Sequence, residues 1–226
     1  MRILQVALTA AGLLVAGVGC TQSQGSSRAS IPYTVLDDQA SQLRADFNGH
    51  VGSVRLLFVV DPICPGCLLG LDEMNRDLLA GTADSRLQTF VVHEPVLGVD
   101  RDAPVLRPGG EKDVPKAAQL LQNPNVHHYW NPSGAFGRLL SQAVGLKNGK
   151  EQVYAWDVWL LYGPEAKWVG NDPPRPRLLM HQLSELRGST EFPHLDSHVF
   201  AQQVQTLLAQ LPAREGAAPL ASPAHQ

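Results

Sequence analysis

Cys64 and Cys67 have the type and spacing for thiol-disulfide chemistry, with Pro65 and Gly66 between them. Two intervening residues wound into a first helical turn bring two sulfurs to disulfide distance with little strain. The run ahead of them, Val54-Arg55-Leu56-Leu57-Phe58-Val59-Val60, is short and nearly all apolar, as in a strand buried on both faces. It ends at Asp61-Pro62, and beyond the pair Leu68, Leu71, Met74 and Leu78 recur at helical spacing, with Gly81 as a stop. The cysteines therefore belong to a strand-to-helix turn. Cys64 then lies over the free N–H groups at the positive end of the helix, where a thiolate is stabilised and the thiol pKa falls. It becomes the attacking nucleophile, and Cys67, one turn inside, resolves the mixed disulfide. Pro65 stiffens the turn and Gly66 leaves access from one side. An inert structural disulfide is one rival reading. A zinc site is another, but such sites take four ligands and the chain has no second cysteine pair.

The surrounding elements follow from periodicity and punctuation. A helix is expected over 37–47, from Leu36, Ala40, Leu43 and Phe47 with Asn48-Gly49 after them. Strands are expected over 54–60, 87–93 and 126–130. The segment 95–115, with its prolines and glycines, reads as an irregular insertion followed by a short helix over 116–121. Ser133 can cap a helix running to Val144, with Gly145 as its stop. Residues 153–162 form the longest strand candidate, with 166–169 returning across Gly163-Pro164-Glu165 as a hairpin. Residues 178–186 read as a short helix and 198–211 as the closing helix, capped by Asp196 or Ser197. Alternating strands and helices give a mostly parallel sheet, and the late hairpin adds an antiparallel edge. The expected fold class is an α/β three-layer sandwich with a mixed central sheet of about five strands.

Composition bounds the rest. The chain has 226 residues, 18 basic against 21 acidic, and no basic block, so a nucleic-acid partner is not expected. Its three cysteines are too few for a small scaffold stapled by several disulfides. Arg2 followed by an apolar stretch and Gly17-Val18-Gly19-Cys20 has the pattern of an export signal. That end resembles the lipobox of bacterial lipoproteins, which implies cleavage after residue 19 and a lipid on Cys20. Thr21 stands where the family's inner-membrane retention signal has Asp, so the resemblance implies the outer membrane, facing the periplasm, in a Gram-negative host. Residues 20–30 read as a flexible tether, 31–211 as the folded domain and 212–226 as a disordered tail.

The strand, the Asp61-Pro62-Ile63-Cys64-Pro65-Gly66-Cys67 turn and the following helix resemble the thioredoxin-like superfamily in its extracytoplasmic, lipoprotein-borne branch. The likeness runs from about residue 54 through the closing helix. It implies a thiol-disulfide oxidoreductase whose catalytic pair is Cys64 and Cys67, working on protein thiols or disulfides outside the cytoplasm with no cofactor. The family more often has Gly-Pro between the cysteines and Trp before them, where this chain has Pro65-Gly66 and Ile63, and two other departures bear on activity. Phe58 replaces a buried acid on the first strand, and Tyr154-Ala155-Trp156-Asp157-Val158 holds no proline where the family has one opposite the cysteines. Asp157 is thereby a candidate carboxylate near the sulfurs, as proton relay or as a brake on thiolate formation, with a capping or ion-pairing role as the alternative. Trp156 is expected to line a groove beside the cysteines, and Pro65 and Gly66 to tune the pair.

His93 ends the second strand at the side of a parallel sheet where sites gather. It is either a solvated strand-end residue or a third ligand beside Cys64 and Cys67, as in the copper-binding Sco-type branch. His127 and His128 are adjacent on a strand, point to opposite faces and are expected to be structural. A non-catalytic module presenting 95–115 to a partner is the remaining alternative.

Overall fold

The computed structural model describes residues 31–82, 84–97 and 109–212. The expected signal segment, Cys20, the tether, residues 98–108 of the insertion and residues 213–226 of the tail lie outside the described residues. In chain order the elements are β1 (Thr34–Val35), α1 (Ser41–Gly49), β2 (Val54–Val60), α2 (Pro65–Met74), β3 (Leu87–His93), α3 (Val114–Ala118), β4 (Val126–Trp130) and α4 (Ala135–Val144). They continue with β5 (Lys147–Asn148), β6 (Glu151–Gln152), β7 (Val158–Tyr162), β8 (Leu178–His181) and α5 (Ser197–Gln210). A π-helical turn, Asn75–Leu79, prolongs α2. No helix among the described residues is long and apolar enough to cross a membrane.

Six strands form the central sheet in the order β1-β4-β3-β2-β7-β8, one more than the count expected, because the short β1 adds an edge. The first three pairings are parallel; β7 runs antiparallel to β2 and β8 antiparallel to β7. Every residue of β2, β3 and β7 is buried, which is why these segments read as apolar runs rather than as alternating patterns. Successive side chains still divide between two cores. Leu57, Val59, Phe90 and Val92 pack with Phe47 of α1 and Phe136 and Leu140 of α4. Leu56, Phe58, Val60 and Val91 pack with Leu71 of α2, Phe200 and Val204 of α5, and both cysteines. The fold is the mixed α/β three-layer sandwich expected, with a core on each face of the sheet.

Several local expectations are corrected, among them the short helix expected over 116–121, which is α3 and starts at Val114. The strand expected over 153–162 begins only at Val158, because Asp157 adopts a left-handed backbone (φ 49°) that breaks an extended run. The segment ahead of it bonds elsewhere, Val153 N–H to the Leu146 carbonyl and Ala155 N–H to the Gly137 carbonyl. Residues 166–169 are not the return strand. Trp168 is instead buried against the rings of Phe47 and Phe136, its N–H held by the Asn48 Oδ1 at 2.8 Å. The return strand is β8, so the helix expected over 178–186 is strand followed by a single 3-10 turn, Ser184–Leu186. A four-residue apolar run fits either element, and the free edge of β7 selects the strand. The first helix also starts later than expected, at Ser41, whose N–H donates to Asp37 Oδ1.

Arg55 locks the far end of the β2–β7 pair. Its guanidinium lies 4.4 Å from the Phe47 ring centroid and donates to the carbonyls of Phe47, Gly163 and Pro164. These carbonyls have been withdrawn from water and need the charged donor. Arg55→Leu is expected to cost about 2–4 kcal/mol of stability, read as a lowered midpoint in urea denaturation with an unchanged fold by circular dichroism.

Candidate active site

The cysteine turn is built by two acceptors, one acidic and one sulfur. Asp61, wholly buried at the end of β2, accepts the Ile63 N–H at Oδ1 (2.9 Å) and the Val96 and Leu97 N–H groups at Oδ2 (2.8 Å each). It thus ties the entry to α2 to the chain leaving β3. Burial pushes its pKa up against the opposing pull of those N–H groups. Cys64 is the N-cap of α2, in extended conformation, and its sulfur accepts the Cys67 N–H at 3.4 Å, with Pro65 opening the helix. Pro at this position gives up an N–H that has no helical partner anyway.

Asp157 enters from the opposite side, on the bend before β7. Its carboxylate and the two sulfurs lie within 4.8 Å of one another, all three buried. Gly66 borders this approach: a Cβ there would stand 3.4 Å from Asp157 Oδ2 and 3.8 Å from Cys64 Sγ, in ordinary contact with both. Gln182, just past β8, holds the other oxygen. With its amide nitrogen turned inward it donates to Asp157 Oδ1 (2.9 Å) and the Gly66 carbonyl (3.3 Å), an orientation assigned from the hydrogen-bond network. Its backbone N–H also bonds the Asp157 carbonyl at 3.0 Å. Gly70 lets α2 lie this close, since a Cβ on it would fall 2.4 Å from Trp159 and 2.7 Å from the Gln182 amide.

The electrostatics of the two thiols diverge. The Cys67 thiol donating to Cys64, joined by the N–H groups of Cys67 and Gly66, outweighs burial and the Asp157 charge and lowers the Cys64 pKa. Cys67 is pushed well above its ordinary value, first by burial, then by its bond to Cys64 and the Asp157 charge. Asp157 is raised to about 6, mainly by burial, with the Cys67 thiol as a partner that pulls the other way. The result is an outer sulfur suited to carry negative charge, an inner sulfur that holds its proton, and a carboxylate beside the inner one that can take it.

Of the other residues singled out in the sequence, Trp156 is half-buried and packs against both cores at the rim of the site. His93 is not solvated. It is wholly buried, with Nε2 3.3 Å from His128 Nδ1, and burial lowers the pKa of both rings. Among the described residues the converging metal-type donors are Cys64, Cys67 and Asp157, and His93 is not among them. His127 and His128 do face opposite ways, to Gln88 and to His93.

Sequence reasoning missed Gln182 and a third buried carboxylate, Glu94. Nothing in the local pattern marks Gln182, which matters only through the β7–β8 pairing. Glu94 accepts the Gly137 N–H at 3.1 Å from both oxygens, at the start of α4, and lies 2.6 Å from the Tyr154 hydroxyl. That hydroxyl is also 2.6 Å from the Gly134 carbonyl. The Tyr154 hydroxyl is thus within donating reach of both oxygens, and burial raises the Glu94 pKa to about 7 against the pull of Tyr154 and the Gly137 N–H. This chain of bonds fastens 153–157, and so Asp157, to α4.

No protein-family model matches the chain, and no curated protein matches it. Solved structures similar to it include a secreted Mycobacterium tuberculosis disulfide oxidoreductase homologous to E. coli DsbE. That likeness has 9% sequence identity and a TM-score of 0.40, covering 70% of this chain and 85% of the other.

Folding raises the Glu94 pKa from 4.5 to about 7, so the folded chain binds the extra proton between those values. The stability tied to it is complete below pH 4.5 and is lost as pH rises through about 7. Glu94→Gln mimics the protonated form. Thermal melts across that interval should show the wild-type Tm falling toward neutral pH relative to the variant; parallel profiles would contradict a raised Glu94 pKa.

Proposed function

We propose that this chain is a thiol-disulfide oxidoreductase that works outside the cytoplasm, tethered by a lipid on Cys20, on protein thiols and disulfides. The observation that carries the reading is Cys64 Sγ capping α2, with the Asp157 carboxylate beside the buried Cys67. The Cys64 thiolate attacks a partner disulfide. A bond forms between Cys64 and one partner sulfur, the partner S–S bond breaks, and the other partner sulfur leaves as a thiolate that takes a proton from water. Asp157 then accepts the Cys67 proton, and the Cys67 thiolate attacks Cys64 Sγ. The Cys64–Cys67 disulfide forms as the bond to the partner breaks, so the partner gains two electrons and the pair loses them. Run backwards, the same steps oxidise a dithiol, and the reduction potential of the pair sets the direction.

The lowered Cys64 pKa supports its role as attacker, and the raised Cys67 pKa explains why release needs a proton acceptor. Cys64→Ser should abolish reduction of a protein disulfide such as insulin, and Cys67→Ser should trap the mixed disulfide, seen on non-reducing gels. Asp157→Asn keeps a residue tolerant of the left-handed bend but removes the base. It should slow release from the mixed disulfide by roughly tenfold or more while attack continues. Full activity in both cysteine variants would end this reading. For the tether, Cys20→Ala should move the protein from the membrane fraction to the soluble fraction; an unchanged distribution would count against lipidation.

A further inference from the structure

The trio of Cys64, Cys67 and Asp157 also has the makeup of a metal site. We infer that the reduced pair, together with Asp157, binds one divalent zinc-like ion, and that this ion competes with disulfide formation for the same two sulfurs. Binding requires only the reduced trio, whereas the inhibitory consequence rests on the proposed redox function.

Three donors from two separate elements converge within 4.8 Å, in a part of the molecule where each is buried. Tetrahedral coordination at zinc distances sets its donors about 3.5–3.8 Å apart, so the trio needs to close by at most about 1.3 Å. The carboxylate is already aimed. Gln182 engages Oδ1, while Oδ2 and Cys64 Sγ border the same face of Gly66, so one oxygen is left facing the sulfurs. An amide that orients a carboxylate ligand in this way is what metal sites use outside their ligand shell. A fourth position remains on the side of Cys64 and Asp157, which keep 7% and 4% exposure while Cys67 has none. Water or a partner thiolate can fill it.

The donor set also selects the ion. Two soft thiolates alone would favour Cu(I), but the third donor is a hard carboxylate and not the imidazole of His93, whose Nε2 is turned to His128. A mixed thiolate and carboxylate set suits a borderline divalent ion such as Zn²⁺, with Cd²⁺ as its spectroscopic stand-in. Fully deprotonated, the three groups carry three negative charges in the interior. The divalent ion takes the place of the displaced protons, which leave to solvent, and no electron moves. Oxidation of the pair removes both thiolates, so metal and disulfide exclude each other.

The test is anaerobic titration of the reduced, full-length protein with Cd²⁺, read by the ultraviolet thiolate-to-cadmium charge-transfer band, followed by Zn²⁺ competition against a chromophoric chelator. One ion per chain is expected. Cys64→Ser should remove the band, Asp157→Asn should weaken binding at least about tenfold, and His93→Ala should leave it unchanged. Should Asp157→Asn fail to fold, X-ray absorption at the zinc edge of the wild-type protein reads the ligands directly, with two sulfurs and the remainder oxygen expected. Absence of the band, four sulfurs at the edge, or undiminished binding by folded Asp157→Asn would overturn the inference. Zn²⁺ should also protect both thiols from alkylation and slow insulin reduction. A protein that exchanges disulfides but takes up no Cd²⁺ sinks the metal site alone; one that binds the ion through the trio but never exchanges disulfides sinks the redox reading alone.

Discussion

A carboxylate buried against two sulfurs is the constraint around which this end of the molecule is arranged. Taking Asp157 out of water is costly unless other groups replace the solvent. The replacements come from several elements. Gln182 reaches it from the end of β8, and Gly70 lets α2 press toward Trp159. The left-handed backbone at Asp157 turns the chain into β7, and an acidic residue tolerates that conformation better than most. Farther back, Glu94 and Tyr154 hold the preceding segment on α4, so one buried acid helps to position another.

The two activity-bearing positions at which the sequence differs from the pattern it resembles belong together. Phe58 occupies the strand position where a buried acid would be expected, and it packs 4.6 Å from the Trp159 ring, centroid to centroid, as an ordinary core residue. The acid arrives instead from the bend before β7. In the proposed reaction it does the same work from the other side, taking the proton of the sulfur that is too deeply buried to lose it to water. Moving the acid also places it opposite Gly66, where its second oxygen faces both sulfurs. That placement gives the trio the makeup of a metal site, which an acid farther along β2 would not share with the same glycine.

Much of the scaffold was legible in the chain. The runs over 54–60 and 87–93 are the central strands, buried on both faces, so their apolar content left little doubt about the element. The closing helix begins where Asp196 accepts the Val199 N–H, and α4 ends on left-handed Gly145. The misread segments are those whose local pattern is ambiguous. Leu178-Leu179-Met180-His181 has no periodicity long enough to choose between helix and strand, and 153–157 looks extended until Asp157 breaks it. Trp168 belongs to the core through contacts with α1 and α4, which no window around residue 168 contains.

The same division holds for the chemistry. Sequence alone determined the strand-to-helix cysteine turn, because the spacing of Cys64 and Cys67, the apolar run before them and the helical period after them are all local. It also marked Asp157 as a residue worth attention. Tertiary structure decided what surrounds the sulfurs: that Asp157 reaches both of them, that Gln182 braces it, that His93 turns instead to His128, and that Glu94 is buried against Tyr154. Each of these depends on strands brought side by side from distant parts of the chain. Burial, which sets the proton affinity of every group at the site, does not exist until the layers have closed.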